Sequence, residues 1–130
     1  MVQSPIYITP NPDLKKEILM EGDTIEKIYG YLKKEFELDD EDINEVLNEF
    51  LSNTQSLIKK ASSEIASETW SELKKTGHSI KGASANLGAD FISSCGRELE
   101  HAALSFDKVK ASTLVSEINR SFENLKNQRK

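Results

Sequence analysis

The chain has 130 residues and a formal net charge of −5, from 17 lysine and arginine residues against 22 aspartate and glutamate residues. This length suits one domain that buries a core without disulfides or metal, and the acidic balance argues against non-specific nucleic-acid binding, which needs a surplus of cations. A single cysteine cannot form an internal disulfide, and the sequence has neither a membrane-spanning apolar run nor a secretory signal in residues 1–10. We therefore expect a cytoplasmic protein that binds neither nucleic acid nor membrane.

The first 38 residues predict an N-terminal arm and extra helices that pack on the rest of the chain. All prolines lie before residue 13, which favours an extended arm over residues 1–9 and delays regular helix. Pro12 suits the first position of a short helix over residues 12–20. A capping-box pattern at residues 23–26 then precedes apolar residues at helical spacing, which predicts a second helix that ends near Glu37.

The rest of the chain predicts four long amphipathic helices joined by short connections. The first begins in an acidic run, and the second follows a cap offered by residues 67–69 and ends at Gly88, which suits a left-handed C-cap. Asp90 is predicted to cap the third helix and Asp107 to open the fourth. The apolar residues of the fourth helix that are expected to face inward are Val109, Val115, Ile118, Phe122 and Leu125.

Amphipathic helices with short connections can bury their apolar faces only against one another. No segment shows the alternation of a strand ladder. We therefore expect an all-α fold, in which residues 39–130 form an antiparallel up-and-down four-helix bundle and residues 1–38 add the arm and short N-terminal helices. The whole chain would form a single domain.

One segment of the second long helix, residues 76–88, concentrates the side chains with chemical potential. His78, Lys81, Gly82 and Ala85 share one face of a helix, because residues three, four and seven places apart lie together. The other face carries the apolar stripe, so the imidazole is expected to point outward. A nucleophile and a cation beside two positions without bulk favour contact with another macromolecule.

The run from His78 to Ala89 resembles the H-x-x-K-G-x-[SA]-x-x-x-G core of the histidine-containing phosphotransfer (HPt) domain. The resemblance extends more loosely from about Asp42 to Ala103 and includes Cys95 and the pair Leu99 and Glu100. Residues 6–14 look like an extended arm found in some members. Residues 21–38 depart from the compact pattern and are expected to form an added helix.

The resemblance implies that His78 accepts a phosphoryl group from the aspartyl phosphate of a receiver domain and passes it to another receiver. Lys81 would neutralise part of the phosphoryl charge, and Gly82 and Ala85 would leave room for the partner. The partner-docking set is Gly82, Ala85, Lys74 and Lys75. Structural support is expected from Ser84, which would sit against the core and bond a backbone carbonyl one turn back, and from Gly88.

The implied protein is a monomeric phosphocarrier and not an autonomous enzyme. Its implied partners are response-regulator receiver domains and a hybrid or sensor histidine kinase. The sequence contains no nucleotide-binding glycine motif and no acidic constellation for Mg²⁺, so we expect no bound cofactor, with Mg²⁺ supplied by the receiver. His78, Cys95 and His101 lack the spacing of a metal site, and none is expected.

Three alternatives remain open at this point. An exposed histidine is most often only a surface residue, and His101 is expected to be structural or solvent-facing. The chain could be an adaptor that docks receiver or kinase domains without being phosphorylated. It could also be a catalytic module, such as a phosphohistidine phosphatase or a kinase fragment.

Arg97 and His101 are expected near the histidine face with undetermined orientation, and Glu98 and Glu100 are expected to solvate their helix.

Overall fold

The computed structural model describes residues 22–129, and within this range the chain is helical without any strand. The expected arm over residues 1–9 and the short helix over residues 12–20 lie outside the described residues. The helices are α1 (Ile25–Phe36), α2 (Asp40–Ser67), α3 (Trp70–Ala85), α4 (Asp90–Leu104) and α5 (Lys108–Gln128). The prediction of an all-helical fold is confirmed for this part of the chain.

The four long helices pack in a ring. Helices α2, α3 and α4 each contact the helix that follows them, and α5 contacts α2. The α3–α4 pair has the most extensive contact. Every long helix supplies fully buried side chains to the common core, among them Leu47, Leu73, Leu99 and Ile118. Burying a leucine or isoleucine side chain contributes about 1.5–3 kcal/mol, so the predicted apolar stripes provide the main stabilisation of the fold.

Helix α1 confirms the helix that was predicted to end near Glu37. Thr24 is its N-cap, and the Thr24 side chain accepts a hydrogen bond from the Lys27 backbone N–H at 3.1 Å. Ile28 and Leu32 are buried, which anchors α1 on the ring.

None of the helices within residues 22–129 is both long and apolar enough to cross a membrane.

Two glycines allow α3 and α4 to approach backbone to backbone. A Cβ at Gly96 would lie 2.7 Å from the Lys81 backbone N and 3.0 Å from the Gly77 carbonyl oxygen. A Cβ at Gly77 would lie 3.0 Å from the Gly96 carbonyl oxygen and 3.1 Å from the Glu100 backbone N. The 2.7 Å distance at Gly96 is too short for a side-chain carbon, and the distances at Gly77 are tighter than most side-chain carbons allow, so glycine at both positions favours the close approach of the two helices. Glu100 is thereby brought against the helix that carries His78.

The start of α4 is capped by a residue from a distant part of the chain. Asp90 was predicted to be the cap, but the N-cap position belongs to Ala89, and the carboxylate of Asp23 accepts the hydrogen bonds. Asp23 Oδ1 accepts from the Phe91 N–H and Oδ2 from the Ile92 N–H, each at 2.9 Å. Through these two hydrogen bonds the buried Asp23 ties the segment before α1 to the first turn of α4.

The predicted cap within residues 67–69 is confirmed in position only, and one further local prediction was wrong. Thr69 is the N-cap residue of α3, but among the described residues its hydroxyl caps no helix N–H and instead donates to the Glu64 carbonyl oxygen at 3.4 Å. Val109 does not face inward, since it is 79% exposed. It lies in the first turn of α5, out of phase with the buried series that begins at Ala111 and includes Val115. Asp107 does cap α5, accepting from the Lys110 N–H at 3.0 Å.

The connection between α3 and α4 has the predicted left-handed turn. Gly88 has a φ of 72°, a conformation that favours glycine. A Cβ at this position would also meet the ring of Tyr31 at 2.7 Å, because α1 covers the turn. Gly88 therefore serves both the turn and the docking of α1.

Candidate functional site

His78 lies in the middle of α3 and points outward, as its helical phase predicts. Its side chain is 69% exposed, whereas Leu73, Gly77 and Ile80 on the other face of the helix are buried. The imidazole is thus held on a rigid helix and is accessible to a partner.

Glu100 of α4 joins His78 to Lys81. The Nδ1 atom of His78 lies 3.4 Å from Glu100 Oε2, and the Nζ atom of Lys81 lies 3.0 Å from Glu100 Oε1. The Glu100 side chain is only 14% exposed, and each of its oxygens lies within ion-pair distance of one of these partners. The prediction that Glu100 merely solvates its helix was wrong. The signal in the sequence was Gly96, one turn before Glu100, which permits the close approach of the helices.

The carboxylate of Glu100 is stabilised in its charged form. Burial alone would raise the pKa of Glu100, but the Lys81 ammonium and the His78 ring outweigh that effect and hold the pKa below its usual value. Glu100 is therefore ionised at neutral pH and acts only as a hydrogen-bond acceptor. The site thus contains an anion between an imidazole and a cation.

The surface around His78 has little bulk on one side and lysines on the other. Ala85 is exposed, and a Cβ at Gly82 would meet no described atom within 4 Å beyond its own stretch of helix. Lys74 and Lys75 are exposed toward the start of α3, where Lys75 Nζ lies 3.6 Å from Glu72 Oε2. A shallow groove brings these lysines together with the site residues, and it is lined by Ser71, Lys74, Lys75, His78, Ser79 and Glu100.

The support beneath the site differs from the predicted support. Ser84 is buried as expected, but its hydroxyl makes no hydrogen bond within residues 22–129, so the predicted bond to a carbonyl one turn back is absent there. Instead, the Ser93 hydroxyl of α4 donates to the Lys81 carbonyl oxygen at 3.0 Å. On the other side, the buried Thr76 hydroxyl donates to Glu64 Oε1 of α2 at 2.7 Å. These bonds fix α3 to both of its neighbours near His78.

Arg97 and His101 do not join His78. Arg97 is exposed and lines a separate polar depression with Lys81 and Asp90. His101 is also exposed, and its Nδ1 lies 3.9 Å from Glu98 Oε2. Within the described part of the chain, no three histidine, cysteine, aspartate or glutamate side chains are grouped so that they could hold a metal ion.

Comparison with protein families identifies this architecture. The family model described as the Hpt domain matches residues 45–128, which is more than half of the chain. The chain belongs to the Hpt domain family. The matched part of this Hpt protein includes His78, Lys81 and Glu100, whereas α1 and the Asp23 cap precede it. Comparison with curated proteins and with solved structures gave no match. Membership of the Hpt family implies a phosphotransfer role in two-component signalling.

Proposed function

We propose that this Hpt protein is a phosphorelay intermediate, in which His78 accepts a phosphoryl group from a receiver-domain aspartate and passes it to another receiver aspartate. The observation that carries the proposal is the exposed imidazole of His78 with its Nδ1 atom 3.4 Å from an ionised, largely buried carboxylate. The chain would act as a phosphocarrier and not as an autonomous enzyme.

The position of Glu100 selects the reacting nitrogen. Because the Glu100 carboxylate can only accept a hydrogen bond, the neutral His78 ring is oriented with its proton on Nδ1 and its lone pair on Nε2. Nε2 attacks the phosphorus of the aspartyl phosphate, the new P–N bond forms, and the P–O bond to the aspartate breaks. The electron pair of that bond leaves on the aspartate carboxylate. The phosphorylated ring keeps its Nδ1 proton and carries a positive charge that faces Glu100.

Lys81 supplies positive charge next to the transferred group. Its Nζ atom is held 3.0 Å from Glu100, one helical turn from His78, and can contact the phosphoryl oxygens. Phosphoryl transfer has a loose transition state, so positioning and electrostatic stabilisation are the main contributions that the protein can make. Glu100 would therefore position both the nucleophile and the cation.

Docking of the receiver uses the surface around His78. Gly82 and Ala85 lack bulk, so the acidic pocket of a receiver can close over the imidazole, and Lys74 and Lys75 complement its charge. The ring of contacts among α2, α3, α4 and α5 and their short connections support an antiparallel up-and-down arrangement of these helices. We propose residues 39–130 as the phosphotransfer unit, with the preceding residues packed on it.

The remaining features of the proposal concern partners and surroundings. The receivers would supply both the phospho-accepting aspartate and the Mg²⁺ that it requires, so this chain would bind no cofactor of its own. A hybrid or sensor histidine kinase would load the relay upstream. We also propose a monomer in the cytoplasm, where the single buried cysteine would stay reduced.

Phosphate transfer to the purified protein tests the proposal. A phosphorylated receiver domain should place acid-labile, base-stable label on the wild-type chain, and the His78→Gln variant should take none. Label that persists in His78→Gln would refute the site. Tight receiver binding without label would favour the adaptor, and labelling of the isolated chain by ATP would favour a kinase fragment.

A further inference from the structure

The connection between α4 and α5 presents apolar side chains to solvent. Within residues 22–129 the exposed large hydrophobic side chains are Phe36, Leu104, Phe106 and Val109, and three of these lie between positions 104 and 109. Phe106 is 68% exposed although its ring contacts Trp70 edge to face, with centroids 6.0 Å apart. We name Trp70, Leu104 and Phe106 the Phe106 patch. Clustered exposed hydrophobic side chains are typical of interaction surfaces.

Phe106 occupies a backbone conformation that suits glycine. Its φ is 56°, and it ends α4 in a Schellman turn, where the Phe106 N–H bonds the Ala103 carbonyl at 3.3 Å and the Asp107 N–H bonds the Ala102 carbonyl at 2.9 Å. A bulky side chain is disfavoured there. Glu37 and Glu68 share this conformation but present solvated charges. A strained aromatic residue that remains mostly in water is explained better by a contact outside the chain than by the fold.

The Phe106 patch lies on the same two helices as the site, toward the start of α3 and the end of α4. Lys74 lies between Trp70 and His78 in steps of four residues on α3, and Leu104 follows Glu100 by four residues on α4, so each series shares one helix face. The groove at the site is lined by His78 and Lys74 from the first row and by Glu100 from the second. The patch begins about 12 Å from His78 along the axis of α3, a span that one protein domain covers. A partner seated on His78 that extends over Lys74 toward the start of α3 would meet the patch.

We propose that the Phe106 patch is an anchor for the receiver domain that exchanges phosphate with His78. This inference rests on the proposed function and adds a specificity-determining surface to it. The receiver would place an apolar side chain against Phe106 and Leu104, and its carboxylates would face Lys74 and Lys75. Exposed lysines between the histidine and an apolar cluster fit an acidic partner with an apolar edge. Because the patch is remote from the reacting atoms, it contributes to binding and not to the chemical step.

Two variants test the patch by single-turnover transfer, measured as a function of receiver concentration, from the phosphorylated receiver that labels the wild-type protein fastest. Phe106→Gly removes the ring and relieves the positive φ, so its Tm should be no lower than that of the wild type. Leu104→Ser removes the second apolar side chain and leaves the positive-φ residue Phe106 unchanged. Each should raise the receiver concentration for the half-maximal transfer rate about ten-fold, equivalent to about 1.4 kcal/mol, and leave the maximal single-turnover rate constant within about two-fold.

The control for backbone strain is Glu37→Gly, which relieves the same conformation at the end of α1, away from the patch. It should leave the half-maximal concentration unchanged. Phosphoramidate, which phosphorylates histidine without a docking partner, should label both patch variants at the wild-type rate.

An unchanged half-maximal concentration in Phe106→Gly and Leu104→Ser would overturn the patch proposal and leave the proposed function intact. A wild-type dimer in sedimentation that Phe106→Gly dissociates, with unchanged transfer, would also overturn it, since a second copy would then occupy the patch. Wild-type protein that takes no label from phosphoramidate or from any receiver would refute the proposed function itself, and the patch proposal with it.

Discussion

The same substitution at two glycines should have opposite effects on stability. Gly96→Ala places a methyl group 2.7 Å from the Lys81 backbone N and 3.0 Å from both the Gly77 carbonyl oxygen and the Lys81 Cα. All of these atoms belong to the backbone of α3, so they cannot move without shifting the helix. Gly82→Ala is the matched control, because a methyl group there meets no described atom within 4 Å beyond its own helix.

The magnitudes follow from two opposing contributions. Alanine in place of glycine inside a helix stabilises by about 1 kcal/mol, and this gain is available at both positions. Overpacking in a close-packed interface costs about 1–3 kcal/mol, and we take the upper value at Gly96 because the contacts are with backbone. Gly82→Ala should therefore gain about 1 kcal/mol and Gly96→Ala should lose about 2 kcal/mol, a difference of about 3 kcal/mol.

Urea unfolding followed by circular dichroism measures this difference directly. In Gly96→Ala, separation of α3 and α4 should also move Glu100 away from His78 and Lys81, so phosphate transfer should slow in the folded variant. Equal stability of the two alanine variants would refute the argument that backbone contact sets the helix separation. Wild-type transfer by a destabilised Gly96→Ala would refute the dependence of the site on that separation.

Four further predictions concern three side chains. Asp23→Ala should destabilise the fold by about 2 kcal/mol in urea melts, because the Phe91 and Ile92 N–H groups lose their acceptor. Burial raises the pKa of Asp23 despite these two bonds, so the folded state holds the Asp23 proton more tightly than the unfolded chain does. The stability of the wild type relative to Asp23→Asn should therefore increase as the pH falls through the raised pKa. A decrease in this relative stability would contradict the account. Glu100→Gln should slow transfer by about ten-fold, since the partner that orients the His78 ring is weakened, and an unchanged single-turnover rate would count against this role. Lys81→Ala should lower the maximal single-turnover rate constant for transfer by about ten-fold with little change in the half-maximal receiver concentration, whereas equal losses in both would place Lys81 at the docking rim.

The helices and the orientation of His78 could be predicted from the sequence because both depend on local periodicity. A period of 3.6 residues places Leu73 and Ile80 inward and His78 outward whatever the rest of the chain does. The same reasoning failed at Val109, which is out of phase with the buried stripe of α5. The glycine turn at position 88 was also predictable, because its left-handed conformation is a local property.

Only the tertiary structure decided which distant residues meet. Asp23 caps α4 by accepting hydrogen bonds from residues 68 and 69 positions further along the chain. Local sequence had instead predicted Asp90 as the cap. Glu100 reaches His78 because Gly77 and Gly96 allow two helices to touch, and their separation is a property of the pair and not of either sequence. A hydrogen bond or an ion pair between helices depends on their relative position to within about an ångström, and periodicity within one helix carries no information about it.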